Sequence, residues 1–492
     1  MTITASAKQA HHDQYIGGAW VPAASGRTFE DVNPYTGQVL GTVAAAGRED
    51  AARAVAAASA AFPGWAAKPP AVRQRIFLAA ADILERRRDE VVGLLASETG
   101  CTFGFAMFQM GFVPGLFRQA AGLAYYPVGQ VIPSDVPGTF AMGIRRPVGV
   151  VAAIAPWNAA LILSARSIAA PMVAGNTVVL KPSQDSPFVG GLLWAEIFEE
   201  AGLPAGVLNV VTHAAGDGTR IGDEFAENPK VRRINFTGSS ATGRRIAEAA
   251  GRNLKRVVLE LGGQNPLVVL RDADIAYAVD AAAFGAFLHQ GQICMSTRRI
   301  IVEAPIAAQF EERLAAKVAG LKMGDPLAMD TIIGPLINQD AFDLVASRVE
   351  DALKAGARLI AGGRSEGLVY AATLLADVPD SSELARHETF GPVATLEVVA
   401  DEDAAIERAN ATAYGLSAGI ITTNTDRGLA LADRIEAGIV HINEQTIGAA
   451  PQMPFGGVKD SGWGRFGGAA ALDEFSELRW VTVQSGSHPY PF

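Results

Sequence analysis

The hydrophobic residues of the N-terminal region follow the spacing of α-helices. Two short stretches with strand and turn character, residues 15–20 and 33–37, come first. Residues 51–61 are dense in alanine, and a second helix is predicted to open at Pro69 and Pro70, because proline is favoured in a first helical turn. In that helix the apolar side chains recur at helical spacing: Val72, Ile76, Leu78, Ala79, Ile83 and Leu84. We interpret this region as scaffold, with residues 86–88, three arginines, on a solvated face.

From residue 148 onward, strands and helices alternate. The β-rich runs are residues 148–155, 177–181, 207–211, 233–237 and 256–261. Helical stretches such as residues 165–173 and 188–201 separate them. This alternation predicts an α/β fold with a doubly wound parallel sheet. Nucleotides bind at the carboxyl ends of the strands in such sheets.

Residues 262–443 repeat the α/β pattern. Their strand-like runs are residues 267–270, 299–302, 358–361, 394–399, 418–422 and 439–443. The sequence therefore predicts a second α/β domain, with an active site in the cleft between the two domains. A last strand-like run, residues 479–484, needs a partner for its edge. We expect that partner to be residues 138–144 or a neighbouring subunit.

The composition excludes several classes of function. With 492 residues, of which 49% are hydrophobic and 19% charged, the chain is expected to form a globular protein of two or three domains. A net charge of −10 argues against nucleic-acid and anionic-membrane partners, because both favour basic patches. Cys101 and Cys294 lie far apart and offer neither a disulfide framework nor paired metal ligands, so no metal site is predicted. The polar N-terminus lacks the apolar segment of a signal peptide, and the expected compartment is the cytoplasm.

Two glycine-rich turns follow strands of the first predicted sheet. Gly238 and Gly243 precede a predicted helix at residues 244–250, whose N-terminal amides could face a pyrophosphate. Gly218 belongs to a second cluster that follows the preceding strand. Neither turn has the G-x-G-x-x-G fingerprint, so in isolation an ordinary tight turn explains each of them equally well.

Cys294 lies at the edge of a turn broken by Gly291. Residues 276–288, just upstream, have helical composition, and glycine permits backbone conformations that a side chain forbids. A thiol at a helix end beside unpaired N–H groups is predicted to be held as a nucleophilic thiolate. Taken alone, a cysteine is more often a small buried apolar residue. Motifs elsewhere in the chain favour the nucleophile.

Seven motifs, in order along almost the whole chain, resemble those of the aldehyde dehydrogenase superfamily. They are residues 155–158 (APWN), 175–183 (GNTVVLKPS), 236–239 (FTGS), 259–263 (LELGG), 291–294 (GQIC), 388–392 (ETFGP) and 454–462 (PFGGVKDSG). The resemblance implies an aldehyde dehydrogenase-like α/β fold with a Rossmann-like cofactor domain, an α/β catalytic domain and a small β oligomerisation arm. It places these at residues 1–123 with 147–261, at 262–460, and at 124–146 with 475–492. It also implies a homodimer or homotetramer.

The resemblance implies three catalytic residues. Cys294 would add to the aldehyde carbonyl and form a hemithioacetal, and its own backbone N–H and the Asn158 amide would donate hydrogen bonds to the oxyanion. Glu260 would act as the general base that activates water to hydrolyse the thioester. The alternatives are that Asn158 is a turn former and that Glu260 forms an ion pair with Lys255 or Arg256.

The resemblance also implies a nicotinamide cofactor, NAD or NADP. Lys181 is placed at the adenosine ribose, Glu388 at the nicotinamide ribose and Phe390 beside the ring. Gln184 is a departure, because many relatives that use NAD have a glutamate there, and a neutral side chain removes a charge that repels a 2′-phosphate. The predicted cofactor-binding residues are Pro156, Trp157, Lys181, Ser183, Gln184, Gly218, Gly238, Ser239, Gly243, Glu388 and Phe390.

The predicted substrate is an aromatic aldehyde. Ala159 and Ala160 stand where many aliphatic-aldehyde relatives have Phe and Pro, which widens the pocket for a flat ring. Residues 292–297 and 440–446 also resemble the benzaldehyde, vanillin and salicylaldehyde branch, and Ala159, Ile293 and Met295 are predicted to line the pocket. An aliphatic aldehyde or semialdehyde is the alternative. A catalytically inactive structural or binding protein is a third interpretation, which the intact catalytic motifs disfavour.

Overall fold

The computed structural model describes residues 10–492 as a mixed α/β protein. Its α-helices are α1 (Arg48–Ala66), α2 (Pro70–Arg86), α3 (Arg88–Thr99), α4 (Phe103–Leu123), α5 (Ala160–Val173), α6 (Leu193–Glu200), α7 (Gly218–Glu227), α8 (Ser240–Arg252), α9 (Ile275–Phe287), α10 (Ala304–Ala319), α11 (Gln339–Lys354), α12 (Glu383–Arg386), α13 (Glu402–Asn410), α14 (Thr425–Ala432) and α15 (Gly468–Glu474). Its β-strands are β1 (Ala10–His12), β2 (Gln14–Ile16), β3 (Ala19–Val21), β4 (Thr28–Val32), β5 (Val39–Ala44), β6 (Gly129–Ile132), β7 (Thr139–Pro147), β8 (Val150–Ile154), β9 (Thr177–Lys181), β10 (Leu208–Val210), β11 (Val231–Thr237), β12 (Arg256–Glu260), β13 (Asn265–Val269), β14 (Thr297–Glu303), β15 (Arg358–Ala361), β16 (Ser365–Glu366), β17 (Val369–Tyr370), β18 (Thr373–Ala376), β19 (Val393–Val399), β20 (Tyr414–Gly415), β21 (Ser417–Ile421), β22 (Ile439–Ile442), β23 (Val458–Lys459), β24 (Gly462–Trp463) and β25 (Ser476–Gln484).

The helices α1, α2 and α3 confirm the predicted N-terminal helical region. Pro70 occupies the first turn of α2, where its missing N–H costs no hydrogen bond, and Gly100 ends α3 in the left-handed conformation. Arg87 differs from the prediction of a solvated face, because its side chain forms ion pairs with Glu90 and with Glu196 of α6. No helix within residues 10–492 is long and apolar enough to span a membrane.

The first large sheet has eight strands in the order β24-β12-β11-β8-β9-β10-β2-β3. Its five central strands, from β12 to β10, pair in parallel and confirm the predicted doubly wound arrangement. The strands β8 and β9 are buried along their whole length, as expected for a parallel sheet covered by helices on both faces. Short antiparallel strands from both ends of the chain form its edges.

The second large sheet has seven strands in the order β15-β18-β19-β14-β13-β21-β22. All six strands predicted for the second α/β region belong to it. β18 is the seventh, and the sequence did not indicate it, because a run of four largely apolar residues carries no periodic signal of its own. Pairing with β15 and β19 on its two sides sets its conformation.

The two large sheets meet where the chain leaves β12. Glu260, the last residue of β12, pairs with Gly462 of β24. The Leu261 N–H then donates to the Ser461 carbonyl at 3.1 Å, and the Ser461 hydroxyl donates to the Gly262 carbonyl at 2.7 Å. These contacts fix Glu260 at the junction of the two sheets.

A separate sheet has three strands in the order β25-β7-β6. β25 runs antiparallel to β7 along its whole length, from Ser476 to Gln484. The C-terminal strand therefore pairs within its own chain, which is the first of the two predicted alternatives. The outer strands expose large apolar side chains, among them Val131, Leu478 and Trp480.

Candidate active site

The loop that carries Cys294 begins in a left-handed backbone conformation. His289, Gln290 and Gly291, which follow α9, have φ angles between 51° and 65°. The predicted break at Gly291 is present, but it begins two residues earlier. Gly291 is required, because a Cβ atom there would lie 2.2 Å from the Gly391 carbonyl oxygen.

Buried contacts hold this strained loop. The Gln290 amide donates to the Gly100 carbonyl at 3.1 Å and to the Pro335 carbonyl at 2.9 Å. The His289 ring stacks on Phe105 with centroids 4.5 Å apart. Non-glycine residues keep such backbone angles only where surrounding structure enforces them, and here the enforcing groups come from distant parts of the chain.

Burial, together with the Glu388 and Glu260 carboxylates, raises the pKa of the Cys294 thiol to about 12, which disfavours the thiolate that the sequence allowed. The Arg166 guanidinium and the Met295 N–H, which donates to the sulfur, lower it but do not outweigh those effects. The Met295 N–H acts in the direction that the helix-end argument expects, whereas two carboxylates that converge on the same space oppose it.

Glu260 is buried, and neither carboxylate oxygen has a hydrogen-bond partner in the described part of the chain. Burial raises the pKa of this carboxyl to about 8, although Arg166 and Arg465 lower it. The alternative of an ion pair with Lys255 or Arg256 is wrong: Lys255 donates to two backbone carbonyls, and Arg256 lies 3.7 Å from the Glu474 carboxylate. A carboxyl that titrates near neutral pH suits a general base.

Asn158 contacts the nucleophile loop directly. Its buried side-chain amide donates to the Gln292 carbonyl at 2.9 Å, whereas a turn former would bond to its own backbone. The second amide hydrogen is left for another acceptor. Pro156 and Trp157 precede it, and the Trp157 ring meets the Phe390 ring edge-on with centroids 5.6 Å apart. The end of β8 thus brings predicted catalytic and cofactor residues together.

Arg166 is a residue of the site that the sequence analysis missed. It is buried and makes no hydrogen bond or ion pair with any residue from 10 to 492 that the structure describes. Its guanidinium carbon lies 4.1 Å from the centroid of the Phe455 ring and 5.9 Å from that of Phe112. The sequence does contain a signal for Arg166, because it is the one charged residue in the apolar helix α5.

Arg298 is a second buried arginine that was missed. Its guanidinium donates to the carbonyls of Gly291, Gly391 and Val393. It therefore ties the Cys294 loop to the loop that contains Phe390. Nothing in the local sequence distinguishes it from its neighbour Arg299.

Glu388 lies in a space made by two glycines. The Gly263 N–H donates to Glu388 Oε1 at 3.2 Å, and a Cβ atom on Gly262 would lie 2.1 Å from Oε2. Burial raises the pKa of Glu388 to about 7, although Arg298 lowers it. Within the residues described, no three histidine, cysteine, aspartate or glutamate side chains are grouped so as to hold a metal ion.

A cavity of about 250 Å³ lies at the carboxyl ends of strands in the first sheet, beside α7 and α8. Its lining is Ile154, Lys181, Gln184, His213, Gly218, Thr219, Gly222, Asp223, Phe236, Thr242, Arg245, Ile246 and Ala249. Lys181, Gln184 and Gly218 of the predicted cofactor set are therefore brought together. His213, three residues after β10, and Arg245, in α8, were not predicted.

Gly238 and Ser239 form the turn between β11 and α8, and Gly243 lies in the first turn of α8, beside this cavity. The Ser239 hydroxyl accepts the Thr242 N–H at 3.3 Å and caps α8. The two glycines leave room for close packing, because a Cβ atom on either would lie 2.5 Å from a neighbouring side chain. Ser183 lies outside the lining, and its hydroxyl donates to the Asp185 carboxylate at 3.2 Å.

Ala159, Ile293 and Met295, the predicted pocket residues, are buried in one apolar cluster. Cys294 is partly buried and packs against that cluster. Ala159 is the residue before α5, whereas Ile293 and Met295 flank the nucleophile in the chain. Ala159 directly follows Asn158, whose amide donates to the Gln292 carbonyl two positions before Cys294.

Comparison with known proteins identifies relatives that match almost the whole length of this chain. Residues 20–481 match the aldehyde dehydrogenase family. The chain is 49% identical over 476 residues to a vanillin dehydrogenase from Pseudomonas fluorescens, covering 97% of this chain and 98% of that protein. It is 42% identical over 474 residues to an NAD(+) benzaldehyde dehydrogenase from Pseudomonas putida, covering 96% of each.

A solved structure supports the same family relationship. The crystal structure of a salicylaldehyde dehydrogenase from Pseudomonas putida G7, complexed with salicylaldehyde, matches this fold with a TM-score of 0.96. The two chains are 41% identical, and the match covers 98% of this chain and all of the other. Both the sequence and the fold therefore show that this chain belongs to the aldehyde dehydrogenase family.

Proposed function

We propose that this enzyme oxidises an aromatic aldehyde to the carboxylic acid, with NAD or NADP as the cofactor. The observation that carries the proposal is the convergence of Cys294, Glu260 and Asn158 from three separate segments at the junction of the two sheets. Family membership supports aldehyde oxidation. Each of these three residues has a separate role in that reaction.

Cys294 is the nucleophile. Its thiol loses its proton to solvent, and the Arg166 guanidinium and the Met295 N–H stabilise the resulting thiolate. The sulfur then bonds to the carbonyl carbon, and the carbonyl π electrons move to oxygen. The free hydrogen of the Asn158 amide stabilises that oxyanion, because the amide is already fixed against the Cys294 loop.

Glu260 is the general base for the second stage. A bound nicotinamide would supply the hydride acceptor, and loss of hydride from the hemithioacetal carbon would leave a thioester on Cys294. Glu260 takes a proton from water as the water oxygen adds to the thioester carbon, and Cys294 departs as thiolate. Its unpartnered oxygens suit this role, since no neighbouring donor competes for the carboxylate lone pairs.

The residues present fit a nicotinamide dinucleotide. Lys181 and Gln184 would hold the adenosine ribose in the cavity of about 250 Å³, and the start of α8 would face the pyrophosphate. Glu388 would accept hydrogen bonds from the nicotinamide ribose, and Phe390 would pack beside the ring. Because Gln184 is uncharged, NADP is accepted as well as NAD.

The substrate class rests on Ala159 and on the relatives. Ala159 belongs to the buried apolar cluster against which Cys294 packs, and a larger side chain there would narrow the pocket. The relatives are a vanillin, a benzaldehyde and a salicylaldehyde dehydrogenase. The protein is also proposed to be a cytoplasmic homodimer or homotetramer. The exposed apolar side chains of the β25-β7-β6 sheet favour assembly. We also propose three domains: a cofactor domain of residues 1–123 and 147–261, a catalytic domain of residues 262–460, and an arm of residues 124–146 and 475–492.

Mixing the protein with NAD or NADP and with benzaldehyde or propanal tests the proposal. An increase in reduced-nicotinamide absorbance with benzaldehyde is expected, and a signal with propanal alone would indicate an aliphatic enzyme. The matched control is Cys294→Ala, which should give no signal. Absence of oxidation with both aldehydes and both cofactors would contradict the proposed function.

A further inference from the structure

Lys181 and His213 form a buried pair in the wall of the adenosine cavity. Lys181 is the last residue of β9, and its Nζ donates to His213 Nε2 at 2.6 Å. The His213 Nδ1 lies 2.9 Å from the Ala214 carbonyl oxygen. A carbonyl only accepts, so Nδ1 carries the ring hydrogen and Nε2 offers its lone pair to the ammonium. The histidine is therefore an uncharged partner for the lysine.

Burial prevents both members of this pair from being cations. It lowers the pKa of His213 to about 3, with repulsion from Lys181 as the second cause. It also lowers the pKa of Lys181 to about 7, so a nearby anion would stabilise the charged lysine. Gly218 accommodates the ring, because a Cβ atom there would lie 2.9 Å from His213 Cε1.

The cavity lining described above presents no unpaired carboxylate to Lys181. Gln184 is neutral and donates its amide to Asp185 at 2.9 Å. Asp223 is the one acid in the lining, and Arg245 pairs with it at 3.1 Å. Two cations and one carboxylate leave this lining with an excess positive charge.

We propose that His213 is a positioning residue for cofactor selection, which holds Lys181 without neutralising it and so makes its ammonium available to the 2′-phosphate of NADP. The inference rests on the proposed function, in which this cavity holds the adenosine of the cofactor. A carboxylate at position 213 would pair with Lys181 and repel a second anion, whereas the imidazole lone pair adds no negative charge that would compete for the ammonium. Selection for a phosphorylated ribose thus comes from His213 together with Gln184.

Calorimetric binding of adenosine 5′-monophosphate and adenosine 2′,5′-bisphosphate to the full chain tests this without catalysis. We expect the wild type to bind the bisphosphate at least about fivefold more tightly, through a charge-assisted contact with Lys181. His213→Gln keeps a neutral acceptor and should preserve that ratio within about twofold. His213→Glu should lower the ratio by about tenfold through charge repulsion, with little change for the monophosphate. In the same variant the KM for NADP should rise more than the KM for NAD.

His488→Glu is the matched control, because it makes the same charge change in the exposed C-terminal segment and should alter neither affinity. If His213→Glu fails to fold, Gln184→Glu brings a carboxylate to the same cavity wall and should lower the ratio in the same direction. Equal binding of the two nucleotides by the wild type, or an unchanged preference in the soluble glutamate variant, overturns the inference. Benzaldehyde oxidation with NAD but not NADP would overturn it alone, whereas no oxidation with either cofactor would overturn the proposed function.

Discussion

Glu260→Gln should separate the two chemical stages of the reaction. The substitution keeps the length of the side chain at the end of β12 and removes the group proposed to activate water. Attack by Cys294 and the first reduction of cofactor do not require that base. The variant should therefore produce one equivalent of reduced nicotinamide per site in a burst and then stop as the thioester.

The same variant should also show how much the buried Glu260 carboxyl destabilises the folded protein. A rise in the pKa of Glu260 from 4.5 to about 8 corresponds to about 5 kcal/mol in favour of the protonated form. The folded protein binds this proton more tightly than the unfolded chain, so the stability that Glu260 contributes is fully present below pH 4.5 and is lost as the pH rises through about 8. Glutamine removes that loss, although its own unpaired amide offsets part of the gain.

Two measurements check these outcomes. Rapid mixing with benzaldehyde and cofactor should show the burst, and intact-protein mass spectrometry should show the acylated chain. Thermal unfolding near pH 5 and near pH 9 should show a stabilisation of the variant relative to wild type that is larger at the higher pH. Steady turnover without a burst would mean that another group activates water, and loss of the burst itself would mean that Glu260 is needed earlier, to deprotonate Cys294.

Four further changes have defined outcomes. Cys294→Ala should lower oxidation by several orders of magnitude without unfolding the protein, and a tenth of wild-type turnover by steady-state assay would refute the nucleophile. Ala159→Phe should cost about 1–3 kcal/mol for benzaldehyde, or roughly ten- to hundredfold in kcat/KM, and much less for propanal; equal losses would implicate distortion of Asn158. Gln184→Glu should shift preference from NADP to NAD by about 1 kcal/mol or more, as the ratio of kcat/KM values reports. Arg166→Met should move the pH profile of turnover to higher pH, because the guanidinium lowers the pKa of both Cys294 and Glu260; an unchanged profile would place it outside the site.

Most of the framework could be predicted from sequence because its signals are local. Runs of β-branched residues between helices identified the strands of both sheets, and glycine and proline marked the ends of helices such as α2 and α3. The motif order then identified the positions of Cys294, Glu260 and Asn158. β18 was missed because only its neighbours in the sheet determine its conformation.

The electrostatics of the site could not be predicted in the same way. The protonation state of Cys294 depends on Glu260 and Glu388, which are 34 and 94 positions away in sequence but converge in the fold. The partner of Lys181 is His213, three residues after the adjacent strand β10, and no spacing rule links the two. Charges in a low-dielectric interior are set by every group that folding brings near them.

These charges also explain why the site sits where the two sheets meet rather than inside either one. Glu260 and Arg166 are buried without hydrogen bonds to described residues, and each would be costly in a closed core. They lower that cost for each other, since Arg166 lowers the pKa of Glu260 and Glu260 raises the pKa of Arg166. A full ion pair would occupy the carboxylate that must take a proton from water. The junction therefore keeps the Arg166 guanidinium close enough to Glu260 to interact with it electrostatically, without a hydrogen bond between the two. The Glu260 carboxylate thus stays free to take a proton from water when the thioester forms on Cys294.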